Sequence, residues 1–167
     1  GHVGRPRPAR RGATLARRHR RHGKNVRAEY YVDDMGKQVA VLAWALQHMS
    51  EQEVNGLLKS DENTNPKWSG KADHERVRWY QAAQVARQDR EDKESIEAEI
   101  SRMVHASENG DESVLVAFEN AYQPVLDGML TTLKRLGIKF DTFTKESMFV
   151  INGDVSRLME RFKELEI

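Results

Sequence analysis

Two short stretches hold the side chains best suited to chemistry. One runs Tyr30-Tyr31-Val32-Asp33-Asp34-Met35-Gly36-Lys37-Gln38, and the other runs Phe140-Asp141-Thr142-Phe143-Thr144-Lys145-Glu146-Ser147. A carboxylate held in place can take a planar guanidinium in a two-pronged charged hydrogen bond, which is strong and shape-specific. It can also cap a helix, and Asp33 or Asp34 is placed to do so. A third stretch, His2-Val3-Gly4-Arg5, joins imidazole, glycine and guanidinium. Guanidinium suits oxyanions, and glycine lets a ligand approach the backbone. Read alone, Glu146 is one surface glutamate among many, Asp34 an N-cap and Gly36 a close-packing position.

Other chemistries find little support. Cys is absent, so there is no disulfide, thiolate nucleophile or Cys-based zinc site. His2, His19, His22, His48, His74 and His105 are scattered, and none forms a metal-ligand pair with a carboxylate, so no metal site is expected. Nothing is long and apolar enough to span a membrane, and the Arg-rich N-terminus lacks the apolar centre of a signal peptide. The expected location is cytoplasmic. Trp68, Trp79 and Tyr80 lie near Lys67, Lys71, Arg76 and Arg78 and could stack on RNA bases, but a loop-plus-core role is favoured.

Charge is unevenly placed. Residues 1–27 hold ten Lys/Arg and no Asp/Glu, which leaves 17 of the 27 Lys/Arg against all 26 Asp/Glu in the remainder. A basic arm on an acidic body points to a nucleic-acid-facing arm or an unfolded tail.

The elements that must position these residues can be read from periodicity. Residues 2–22 are expected as a frayed helix with Leu15 and Ala16 inward, and residues 26–32 as a strand. Met35, Val39, Leu42, Leu46 and Met49 repeat at spacings of 4, 3, 4 and 3, an amphipathic helix. Residues 59–72 are turn-formers. Helices follow at 73–88 and 92–107, with Ile96, Ile100, Met103 and Val104 inward. Asp111 caps a longer helix striped by Leu115, Phe118, Tyr122, Val125, Met129, Leu133 and Leu136, bent at Pro124 and ended by Gly137. Residues 138–143 and 147–151 are strand candidates. Asp154 caps a last helix carrying Val155, Leu158, Met159, Phe162 and Leu165 as core. The fold class is α/β and predominantly helical.

With these residues in view, the chain resembles arginyl-tRNA synthetases of the archaeal, class I type. Tyr30 to Gln38 is similar to the turn after the family's ATP signature. Phe140-Asp141-x-Phe143-x-x-Glu146-Ser147 is similar to the segment with its arginine-reading glutamate. Glu99 to Gly137, with its Glu108-Asn109-Gly110-Asp111-Glu112 turn, is similar to its helical insertion. His2 and Gly4 match the signature His-x-Gly-His, while Arg5 replaces its second histidine. Arg7, Ala9, Gly12, Thr14, Leu15, Ala16 and Arg17 fit the helix that follows. Pro6, Pro8, Arg10, Arg11 and Arg18 depart from it, the arginines standing where the family has apolar residues.

The resemblance implies a partial class I Rossmann domain with a helical insertion. Residues 1–50 would be a nucleotide-binding half with a basic N-terminus, 51–72 a linker loop, 73–137 the insertion, and 138–167 a return to the catalytic domain. It implies ATP with Mg2+, L-arginine and an arginine tRNA as substrates, and a second polypeptide as a partner that completes the enzyme. His2, Gly4 and Arg5 would meet ATP, Asp34, Gly36 and Gln38 would floor the site, and Glu146 would read arginine. With its signature incomplete and the family's lysine-rich loop missing, the chain alone is expected to be inactive. The rival expectation is a non-catalytic helical RNA-binding module with a basic arm.

Overall fold

A computed structural model describes residues 7–58 and 70–165. His2, Gly4, Arg5, Lys67, Trp68 and most of the 59–72 segment lie outside the described residues. The elements are α1 (Arg7–Arg21), β1 (Glu29–Val32), α2 (Lys37–His48), α3 (Glu51–Leu57), α4 (Ala72–Asp89), α5 (Lys93–Glu108), α6 (Glu112–Arg135), β2 (Thr142–Lys145), α7 (Ser147–Ile151) and α8 (Asp154–Glu164).

The core is a helical cluster around α2. Ala40, Val41, Leu42, Ala43, Trp44 and Ala45 are all buried, so α2 is covered on every side rather than along one stripe. Alanines set the close packing, with Ala82, Ala83 and Ala86 of α4 and Ala121 of α6 wholly buried beside Ile100 and Phe118. At Gly128 of α6 an added Cβ would lie 2.3 Å from an Asp73 carboxylate oxygen of α4, closer than any real contact. Asp111 caps α6 by accepting from the amides of Ser113 and Val114, as its spacing indicates, and Gly137 follows the helix at φ 70°.

β1 and β2 pair in parallel, Glu29 with Thr142 through Val32 with Lys145. Parallel neighbours need a crossover, and the helices α2 to α6 supply it. Tyr30 fixes the sheet to the helices: its ring meets Phe140 edge-on at 5.1 Å, and its hydroxyl reaches Met129 Sδ of α6 at 3.6 Å.

The structure corrects several expectations. The 51–72 linker begins with a helix, α3, closed by a capping box between Ser50 and Glu53. Residues 147–151 are helix α7, so β2 pairs with β1 and not with a neighbouring hairpin strand. Neither Asp33 nor Asp34 caps α2: Gly36 stands at the cap with φ 100° and ψ 176°, backbone that glycine alone adopts readily. Its Cβ position is uncrowded, so conformation and not close packing selects glycine there. Asp154 is the first residue of α8 and Gly153 its cap. Finally, the α8 stripe faces outward, with Leu158 53% exposed and Phe162 41%. Periodicity identifies an apolar face but not what covers it.

Helix α1 forms over 7–21 with Ala16 buried, but Leu15 is exposed. Arg10, Arg11 and Arg18 are exposed to solvent, so none of these three guanidinium groups is buried.

Candidate functional site

The parallel strands end side by side, and the chemistry-bearing residues follow both ends. The Glu146 amide donates to the Val32 carbonyl at 3.0 Å, extending the ladder by one bond past β2. Asp33 and Asp34 leave β1, while Glu146 and Ser147 leave β2. In open α/β sheets the carboxyl ends of the strands are where ligands bind.

Asp34 is the fixed point. It is 5% exposed, and Ser147 is 6% exposed. One Asp34 oxygen accepts the Ser147 amide at 3.0 Å and the other accepts the Ser147 hydroxyl at 2.6 Å. A buried carboxylate held by two donors is satisfied, and short bonds of this kind are the strong ones. The pair ties the turn after β1 to the start of α7 and leaves Glu146 between the two strand ends.

Glu146 is half-buried, and burial pushes its carboxyl up, helped by the negative charges of Asp33 and Asp34 and by a hydrogen bond with Asp33. The Tyr31 hydroxyl offsets part of this by donating to it. Among the described residues no cation is a resolved influence on it. The adjacent Lys145 turns away: its ammonium meets Glu119 of α6 at 2.5 Å and lies 6.0 Å above the Tyr122 ring. Glu119 beside it holds the ammonium above its usual range. The strand ends thus present carboxylates while the adjacent Lys145 is paired to Glu119, a surface that attracts a cation and suits a guanidinium.

Asp34, Gly36 and Glu146 are brought together, with Gly36 shaping the turn into α2. Gln38 is exposed in the first turn of α2. Ser147 and Tyr31 belong to the same cluster but carried no assigned role in the sequence, and Asp33, read there only as a helix cap, joins them. Their signal was adjacency, since each abuts a residue already singled out. Among the described residues no group of three or more His, Asp or Glu gathers as a metal site. Among them too, no helix is long and apolar enough to cross a membrane.

A carboxylate cluster at the ends of two parallel strands, joined by a helical crossover, makes this a mostly helical α/β segment. Sequence comparison defines it further. The chain is 36% identical over 163 residues to an arginine–tRNA ligase of Methanocella arvoryzae, covering 98% of this chain and 27% of that protein. It is 35% identical over 162 residues to an arginine–tRNA ligase of Methanococcoides burtonii and 32% identical over 164 residues to one of Methanoregula boonei. No family model matches the chain, and no solved structure matches it. The chain corresponds to a segment of the archaeal arginine–tRNA ligases and spans about a quarter of the length of these curated relatives.

Proposed function

We propose that this segment carries the amino-acid-reading wall of an arginine–tRNA ligase catalytic domain of the class I, Rossmann type, with α4 to α6 as its helical insertion. The carrying observation is the Asp34–Ser147 pair, which holds Glu146 beside Asp33 at the ends of the parallel strands with no cation among the described residues resolved as a partner. A guanidinium placed there gains a charge-assisted hydrogen bond and relieves carboxylate repulsion. Asp34, Gly36 and Gln38 form the floor. His2, Gly4 and Arg5, outside the described residues, meet ATP, with Arg5 offering phosphate a fixed cation instead of a neutral imidazole. ATP, L-arginine and an arginine tRNA are the substrates of the complete enzyme. The rest of its site comes from the larger part of the relatives' length, on the same polypeptide or a second one, and this chain by itself forms no arginyl-adenylate at a useful rate.

The test titrates L-arginine and L-citrulline, its uncharged isostere, into the full chain by calorimetry, for wild type and Glu146→Gln. Arginine binding by wild type, absent for citrulline and weakened at least tenfold by Glu146→Gln, is expected. Equal arginine affinity in the variant, or citrulline binding as well as arginine, overturns the reading.

A further inference from the structure

Helix α1 holds seven arginines in 15 residues and no acid. Their placement is not uniform. At about 100° per residue, Arg10, Arg11, Arg17, Arg18 and Arg21 fall within an arc of roughly 120°. All five are exposed. Nearly opposite them lies Ala16, buried, with half-buried Ala9 and Ala13 on the same side.

The remaining described arginine, Arg20, is on the docked side and acts as an anchor. Its guanidinium meets Asp141 at 2.5 Å and the Val26 carbonyl at 2.8 Å. Among the described residues, none of the five stripe arginines forms an ion pair, and Arg17 reaches only the Ala13 carbonyl of its own helix. The helix is thus fastened by one arginine and presents five others to solvent.

We propose that this stripe is a docking surface for duplex nucleic acid, gripped through its phosphate backbone without regard to sequence and taking RNA and DNA alike. Guanidinium pairs with phosphate oxygens in bidentate fashion. Arg10 to Arg21 spans about 17 Å of helix axis, along which a duplex offers roughly ten phosphates. Besides Thr14, whose hydroxyl is engaged with the Arg10 carbonyl, the stripe holds no side chain suited to reading base edges. A membrane surface is the poorer partner. Interfacial helices carry Trp, Phe and Leu opposite their cations, whereas α1 carries alanines there and one large apolar residue, Leu15, outside that face. This inference stands apart from the carboxylate site, and either can fail without the other.

The experiment measures fluorescence anisotropy of the full chain with an RNA hairpin of arbitrary sequence, a DNA duplex and an arginine tRNA, from 50 to 200 mM salt. Expected is about micromolar or tighter binding at 50 mM, equal for the three within about threefold. If five phosphates are neutralised, affinity falls about five-hundred-fold across that salt range. The combined substitutions Arg10→Gln, Arg11→Gln, Arg17→Gln, Arg18→Gln and Arg21→Gln should abolish binding, the five corresponding Lys substitutions should largely retain it, and circular dichroism confirms that both variants are helical. Absence of binding by wild type, binding that survives the Gln set or resists salt, a preference above tenfold for one nucleic acid, or tighter binding to anionic phosphatidylserine vesicles than to the hairpin overturns the proposal.

Discussion

Asp34 and Ser147 stand 113 positions apart in the chain, yet both oxygens of the one accept both donors of the other, at 3.0 and 2.6 Å, in a buried site. This contact joins the exits of two parallel strands and fixes the residue between them, Glu146.

Replacing Ser147 by Ala removes the hydroxyl and leaves one Asp34 oxygen buried without its donor. The cost of such an orphaned group is about 1–3 kcal/mol. Urea unfolding of Ser147→Ala should show that loss, and Ser147→Thr should restore part of it. A midpoint unchanged in both variants would mean that water replaces the hydroxyl and the pair is no clamp.

Much of this was legible in the sequence, and the failures have physical causes. The spacing of Phe118, Tyr122 and Leu133 and the capping of α6 by Asp111 carry over directly, because local periodicity and caps report local structure. The pairing of β1 with β2 did not, since a parallel partner across a long crossover leaves no mark near either strand. Residues 147–151 hold four apolar residues running together, a pattern shared by short strands and short helices, and the hydrogen bonds of Ser147 to Asp34 start the chain into a helix there. In the candidate site Asp34 and Glu146 were visible. The reading of Asp34 as a helix cap did not hold, because its carboxylate takes a partner, Ser147, that only the tertiary fold supplies.

Glu146 makes stability depend on pH in a predictable direction. Its folded-state pKa is raised above the ordinary 4.5 by burial and by Asp33 and Asp34. The folded state therefore holds its proton more tightly than the unfolded state does. The associated stability is fully present below the unfolded value and is lost as pH rises through the raised one. Glu146→Gln lacks this term, so the variant should gain stability relative to wild type as pH rises from 4 to 7. Paired thermal melts across that range provide the comparison, and a difference that is flat or reversed in sign would contradict it.

Gly128→Ala tests the approach of α4 to α6. In an open helix the change stabilises by about 1 kcal/mol. Here the new methyl meets the Asp73 side chain at 2.3 to 2.5 Å, including its Cβ, so the helices or the carboxylate must shift. Overpacking of this kind costs about 1–3 kcal/mol, which outweighs the propensity gain. The variant should unfold at lower denaturant, and a stabilised variant would show that Asp73 swings away freely.

Asp141 decides whether α1 stays docked. Its carboxylate oxygen takes the Ala28 amide at 2.7 Å and the Arg20 guanidinium at 2.5 Å. The Ala28 amide, followed by the charge and hydrogen bond of Arg20, holds the Asp141 carboxyl below its ordinary 3.8. A depressed carboxylate stabilises above its unfolded value and loses that contribution as pH falls through the folded one. The docking of α1 should therefore be insensitive to pH above about 4 and weaken below it. Asp141→Asn removes the charge at all pH values. Amide hydrogen exchange at neutral pH should then show faster exchange across residues 8–21 while α2, α4 and α6 keep their protection. Because the core cluster does not include α1, loss of protection throughout the body would show that Asp141 supports the sheet itself, and unchanged protection in α1 would show that Ala16 and its neighbours hold the helix without it.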